Sequence, residues 1–176
     1  LTGLLPQKAT EPRSLSAHVL AFAAEPKGPR AAELVHHNLV FGREPASEFR
    51  DLAAGHAPAD PTLYICAQDR GDGAAPLPGS VERFEIIMNG PPTDRSATDP
   101  DEEGDACLRR ILAVLETAGL TFDPAPSRAT LTTPAGFDRL FPGAAGSLYG
   151  RSPHGMMAAL ARPRATTAVR GRFLAG

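Results

Sequence analysis

The apolar positions of this chain fall into several short runs and one long stretch that repeats by three and four. From Ser14 to Ala24 the residues are small and almost continuously apolar, and Glu25-Pro26-Lys27-Gly28-Pro29 closes the run as a turn. A buried strand fits that run better than a helix. Glu33 to Phe41 reads as a second strand ending at Gly42, in which alternation sends His36 and His37 to opposite sides. Thr62 to Ala67, preceded by Pro61, is the clearest strand of the chain. Val81 to Met88 sets Phe84, Ile86 and Met88 on one face before Asn89-Gly90-Pro91-Pro92 stops it, and residues 129–133 form a short strand ahead of Pro134.

Helical spacing is rarer. Ser47 to Ala54 is a short helix, with Ser47 as cap and Phe49 and Leu52 facing inward. The strongest helix runs from Pro100 to Ala118. Asp99 is placed to cap it, Pro100 suits its first position, and Glu102 completes a capping-box spacing. Leu108, Ile111, Leu112 and Leu115 make one apolar stripe, and Gly119 stands where a left-handed terminator belongs. Gly136 to Leu140 is a helical turn, Met156 to Leu160 reads as helical, and Gly171 to Ala175 as extended. This order of elements, without regular βαβ crossovers, predicts an α+β fold: a mixed or antiparallel sheet with helices on one face.

Between the last elements lies a loop, Leu140 to Met157, broken repeatedly by glycine and proline yet carrying Leu148, Tyr149, Arg151 and His154. The breakers exclude helix and central strand. The side chains set among them mark a shaped loop built to touch something.

Composition narrows the rest. With 176 residues, 42% hydrophobic and 22% charged, the chain suits one soluble domain. A net charge of −2 gives no pull toward nucleic acid. Lys8 and Lys27 are the two lysines among 18 basic residues, a bias that fits a GC-rich genome better than an arginine-reading partner. Cys66 and Cys107 lie far apart, which suits a reducing compartment. No run approaches the roughly 20 apolar residues of a membrane span. The start at Leu1 and the apolar run stopping at Gly176 give the expectation of a piece of a longer protein.

Familiar chemistries mostly fail. His36 and His37 are expected to diverge, with no second ligand pair at metal spacing, so no metal site is expected. Gly146-Ser147-Leu148-Tyr149-Gly150 lacks the glycine two residues before the serine that a nucleophile elbow needs. Cys66, in an apolar strand, reads as a small core residue. The loop has glycines but neither GxGxxG nor the lysine of a phosphate cradle. The acidic run Asp99 to Asp105 reads as a solvated helix start. Gln68-Asp69-Arg70, just after a strand, is either a polar turn with an internal Asp–Arg pair or part of a site. No catalytic residue is identified.

Four stretches together resemble the carotenoid desaturases of the phytoene-desaturase type. They are His36-His37-Asn38-Leu39-Val40-Phe41, Leu63-Tyr64-Ile65-Cys66-Ala67-Gln68-Asp69-Arg70, the loop Gly146 to Gly155, and Phe173-Leu174-Ala175-Gly176. Their order and spacing agree with the family from about Arg13 to Gly176. Arg13-Ser14-Leu15-Ser16-Ala17 and Arg83-Phe84-Glu85-Ile86-Ile87-Met88-Asn89 look most like the branch of 1-hydroxycarotenoid 3,4-desaturases, which acts on hydroxylated or methoxylated neurosporene.

The resemblance implies an FAD-dependent enzyme that removes two hydrogens from adjacent carbons of a polyene, with the flavin supplying the redox chemistry and the protein an apolar tunnel. It implies that residues 1–176 are the substrate-binding part of a flavin amine-oxidase-like fold, as a single domain with adjoining helices. The N-terminal FAD-binding Rossmann part is absent, and 171–176 begin the C-terminal flavin-contacting motif. On this reading Tyr149, Arg151 and His154 contact substrate, and Leu174, Ala175 and Gly176 contact FAD. Asp69 and Arg70 brace the loop. The chain alone is expected to hold no FAD and to be inactive. The full protein is expected in the cytoplasm, peripheral to the inner membrane, with a carotenoid as its partner. A carotenoid isomerase, a polyene saturase or a non-catalytic lipid-binding module remain alternatives.

Overall fold

The computed structural model describes residues 13–71, 73, 76–93, 100–150, 152, 165–167 and 169–173, with the side chains of 100–102 left out. Its centre is a long strand, β1 (Ser16–Lys27). One edge of β1 pairs from Ser16 to Ala24 with β4 (Glu82–Gly90). Its other edge takes two short strands in turn, β6 (Leu131–Thr132) at Val19 and Leu20, and β5 (Thr121–Asp123) at Glu25 to Lys27. Beyond β4 come β3 (Leu63–Ala67) and the edge strand β2 (His37–Val40). The order is β2-β3-β4-β1-β5, and every described pairing is antiparallel.

The two-residue period decides which side each strand buries. Leu20 of β1, Leu63 and Ile65 of β3, and Phe84, Ile86 and Met88 of β4 share one face and are almost fully buried. Helix α2 (Pro100–Thr117) covers that face with Cys107, Ile111 and Leu115. Each such side chain contributes about 1.5–3 kcal/mol from burial. Phe22, Phe84 and Phe122 close one end of this core as a ring cluster with centroids 4.8–5.6 Å apart. Leu108 and Leu112, also assigned to the stripe, only flank it. Gly119 ends the helix at φ +77°, as its position after the stripe requires.

Several boundaries differ from expectation for identifiable reasons. β1 continues through the expected turn, because β5 offers partners to Glu25, Pro26 and Lys27. Only His37–Val40 of the Glu33–Phe41 run is strand; a 3₁₀ turn occupies Ala31–Glu33. Helix α1 (Pro45–Ala53) begins before Ser47, whose hydroxyl donates to the Glu44 carbonyl at 2.7 Å and does not cap. In α1 the inward pair is Glu48 and Leu52, four residues apart; Phe49, one position round the helix, is 61% exposed. Glu48 accepts from the Thr62 amide and from Asn89 Nδ2, both at 2.9 Å, so its buried carboxyl is partnered. The 129–133 strand shrinks to β6 behind a 3₁₀ turn (Arg128–Thr130), and α3 is Pro134–Leu140. Met156–Leu160 lies outside the described residues. Of the last run, Phe173 bridges Thr166 in antiparallel fashion.

Candidate functional site

The face of the sheet turned away from α2 is built from the other set of alternating positions. Register fixes its rows. Leu39, Tyr64, Ile87 and Val19 stand side by side across β2, β3, β4 and β1, and Thr132 of β6 follows Val19. At roughly 4.8 Å per strand this apolar row spans about 14 Å. Leu39 is exposed, and Tyr64, Ile87 and Val19 are half-buried. The adjacent row is more polar: His37, Cys66, Glu85 and Ala21. Small residues, Ala21 and Ala23, keep the β1 end of this face low and exposed.

The two histidines converge where divergence was expected. His36 precedes β2, so strand alternation does not govern it; its carbonyl accepts from the Ala67 amide at 2.9 Å. The rings of His36 and His37 lie edge to face, centroids 4.1 Å apart. His36 Nδ1 sits 3.0 Å from the Ala67 carbonyl, and its Nε2 4.0 Å from Cys66 Sγ. His37 Nδ1 is 2.6 Å from the Tyr64 hydroxyl. The Tyr64 phenol is pushed up, first by desolvation and then by Cys66 and Glu85. Cys66 is buried, yet its thiol meets this imidazole cluster instead of the core under α2.

Asp69 and Arg70 do not pair with each other. Arg70 forms a two-point bridge to Glu82, with Nε to Oε2 at 2.7 Å and Nη2 to Oε1 at 2.8 Å. Asp69 accepts from the Arg83 amide at 2.6 Å and from its guanidinium, which holds its carboxyl below the usual range. Both residues therefore fasten the β3 exit to the start of β4. Their described bonds are not to the 140–157 loop.

The loop is fastened to the beginning of the chain. The Ser14 amide donates to the Gly150 carbonyl at 2.9 Å, and the Leu148 amide to the Leu15 carbonyl at 3.1 Å. Ser147 Oγ donates to the Gly150 carbonyl at 2.8 Å, so the 2.6 Å contact between the two serines carries the Ser14 proton toward Ser147. Ser14 Oγ is then free to accept the Tyr149 amide at 3.0 Å. Arg13 reaches the Ala144 carbonyl at 2.8 Å, and the Thr93 amide reaches that of Ala145 at 2.8 Å. Gly146, at φ +67°, lies so close to Pro134 that a Cβ would stand 2.3 Å from its carbonyl oxygen. With its backbone so held, the Tyr149 side chain is 76% exposed, near Leu148 in sequence and also outward-facing. Arg151, His154, Leu174, Ala175 and Gly176 lie outside the described residues. Sequence reasoning did not single out Leu39, Val19 or Ile87. The parity of Val81–Met88 already placed Ile87 opposite Ile86, which is the signal that could have found it.

By comparison with known proteins, the chain is similar over nearly its whole length to part of several carotenoid desaturases. In particular it is 51% identical over 172 residues to a hydroxyneurosporene desaturase of Cereibacter sphaeroides, covering 98% of this chain and 33% of that protein. A hydroxyneurosporene desaturase of Rhodobacter capsulatus is 49% identical over 163 residues, 93% of this chain and 31% of the relative. One from Rubrivivax gelatinosus is 38% identical over 188 residues, 100% of this chain and 34% of the relative. The chain thus spans about a third of the length of the curated relatives it matches. No protein-family model matches it.

Proposed function

We propose that this chain supplies the substrate-facing sheet of an FAD-dependent desaturase that introduces double bonds into hydroxylated or methoxylated neurosporene. The observation that carries the reading is the 51% identity, across 98% of the chain, to a hydroxyneurosporene desaturase. The fold fits it. A polyene is long, flat and apolar, and the row Leu39, Tyr64, Ile87 and Val19 offers a straight apolar floor of comparable character. In this reading the sheet belongs to a flavin amine-oxidase-like fold whose remaining parts roof that floor.

The described residues contain no glycine-rich strand-to-helix turn of the dinucleotide-binding kind. Leu174, Ala175 and Gly176 would contact the flavin together with segments outside this chain, and the flavin would supply the redox chemistry. What the described residues do is bind, orient and exclude water. Tyr149, Arg151 and His154 are assigned to the tunnel wall. No described helix is long and apolar enough to cross a membrane. Exposed Leu140, Phe141 and Leu148 suit peripheral contact with the bilayer that holds the substrate.

The test is a product assay on the full-length enzyme, comparing hydroxyneurosporene with phytoene. Preference for hydroxyneurosporene supports the reading, and equal or better conversion of phytoene refutes the substrate assignment. In the same assay Ile87→Glu, on the floor, is expected to lower conversion at least about tenfold with flavin content unchanged. Arg151→Ala and His154→Ala that leave both conversion and flavin content unchanged would remove those residues from the site.

A further inference from the structure

The cluster at the β2–β3 edge brings three potential metal ligands together, an observation independent of the desaturase reading. A backbone carbonyl only accepts hydrogen bonds, so the 3.0 Å contact with Ala67 requires neutral His36 to carry its proton on Nδ1. That leaves the Nε2 lone pair free, and Nε2 is the atom 4.0 Å from Cys66 Sγ. A histidine oriented by a carbonyl on one nitrogen, with the other aimed at a second soft donor, is the arrangement that metal-ligating histidines show. His37 is held too, through the Tyr64 hydroxyl at 2.6 Å and the edge-to-face contact with His36. One ligand atom from each of His36, His37 and Cys66 lies within 4.8 Å of the other two.

The distances can be set against what a metal needs. With Zn–S near 2.3 Å and Zn–N near 2.0 Å, tetrahedral geometry puts nitrogen about 3.5 Å from sulfur and about 3.3 Å from a second nitrogen. The cluster therefore has to contract by roughly 0.5–1.5 Å, within reach of side-chain rotation at an exposed strand edge. The donor set selects the ion: two imidazoles and a thiolate suit zinc and exclude calcium or magnesium. Glu85, next to Cys66 in register, adds negative charge beside the site.

We infer that His36, His37 and Cys66 bind one Zn²⁺ through three protein ligands, joining the edge strand β2 to β3 and leaving a fourth position open. Binding converts the Cys66 thiol to thiolate and releases its proton to solvent. Cys107 provides an internal control. It is buried beneath α2, where burial pushes its thiol up to about 12, and it has no imidazole pair beside it among the described residues.

The experiment is a titration of the purified, reduced protein with Co²⁺, followed by displacement with Zn²⁺. The expected result is one equivalent bound, a thiolate-to-cobalt charge-transfer band in the near ultraviolet, and loss of that band on adding Zn²⁺. Cys66→Ser should abolish the band. His36→Gln and His37→Gln should each weaken Co²⁺ binding at least about tenfold, by analogy with the loss on removing a metal's supporting contacts. Cys107→Ser should change nothing. No band in the wild type, or a band that survives in Cys66→Ser, overturns the assignment. Should a variant fail to fold, the wild type still decides: Zn²⁺ must protect Cys66, and not Cys107, from iodoacetamide as mapped by mass spectrometry. Equal labelling of Cys66 with and without Zn²⁺ also overturns it.

Discussion

Removing the Arg70 side chain is expected to destabilise the protein by about 4–8 kcal/mol, and the figure follows from what Arg70 leaves behind. Its guanidinium makes two parallel bonds to Glu82, at 2.7 and 2.8 Å, and a third to the Leu34 carbonyl at 2.5 Å. The two side chains are only 10% and 4% exposed. The Glu82 bonds hold the guanidinium above its already high usual value, so Arg70 keeps its charge throughout the accessible pH range. Breaking a buried pair by removing one partner strands the other charge, which costs about 3–5 kcal/mol, and an orphaned carbonyl adds about 1–3 kcal/mol where water cannot reach it. Replacing both partners with apolar residues of similar length removes the stranded charge. Arg70→Met with Glu82→Leu should therefore lose only about 1–2 kcal/mol, chiefly from the Leu34 carbonyl. Urea unfolding at neutral pH measures all of these. An Arg70→Ala loss below about 1 kcal/mol, or a double variant as unstable as the single one, would refute the stranded-charge argument. The neighbouring Asp69–Arg83 pair sets the contrast, since its side chains are 30% and 67% exposed and Arg83→Ala should leave the urea midpoint close to wild type.

Three further outcomes can be measured on the same protein. Gly146→Ala must fit a methyl group 2.3 Å from the Pro134 carbonyl at φ +67°, so it should lower the thermal midpoint sharply, whereas Gly143→Ala, with open space around it, carries only the positive-φ strain. Ser14→Ala leaves the Tyr149 amide without its acceptor and takes from the Ser147 oxygen the hydroxyl that donates to it, and should cost about 1–3 kcal/mol in urea. Glu103 is held below its usual range, first by His18, which lies 3.7 Å away and is fully buried, and against the effect of its own burial. A carboxyl lowered in the folded state stabilises above its unfolded value of 4.5, and that contribution disappears as pH falls through the lower folded value. Glu103→Gln should thus flatten the acid limb of a stability–pH curve below about pH 4.5.

What the sequence revealed follows the range of the interactions involved. β3, β4 and α2 are specified by periods of two or three to four that repeat within a few residues, and they stand nearly as expected. β5 has three residues and no period of its own, and exists because β1 runs long enough to pair it. Phe49 faces out because Glu48 finds two donors at 2.9 Å, one of them on β4, 41 residues away. Hydropathy ranks those two side chains the other way. The loop's anchorage is less visible still, since Ser14 and Ser147 are separated by 133 positions. A glycine-rich stretch announces that the chain turns there, but not what fastens it.

The same reasoning separates the two faces of the sheet. On the face under α2, any side chain of suitable volume satisfies the core, so Leu63, Ile65 and Ile86 report on the fold and little else. On the other face burial does not dictate identity, and the side chains there need a different reason to be what they are. Tyr64 contributes to both of its rows, as part of the apolar floor and as the hydroxyl that holds His37. The floor and the imidazole cluster are therefore adjacent and share one residue. Tyr64→Phe keeps the ring on the floor and removes the hydroxyl. On the proposed function it should leave conversion of hydroxyneurosporene intact while loosening His37 and weakening Co²⁺ binding. Equal losses in both assays would mean that the floor and the cluster are a single site.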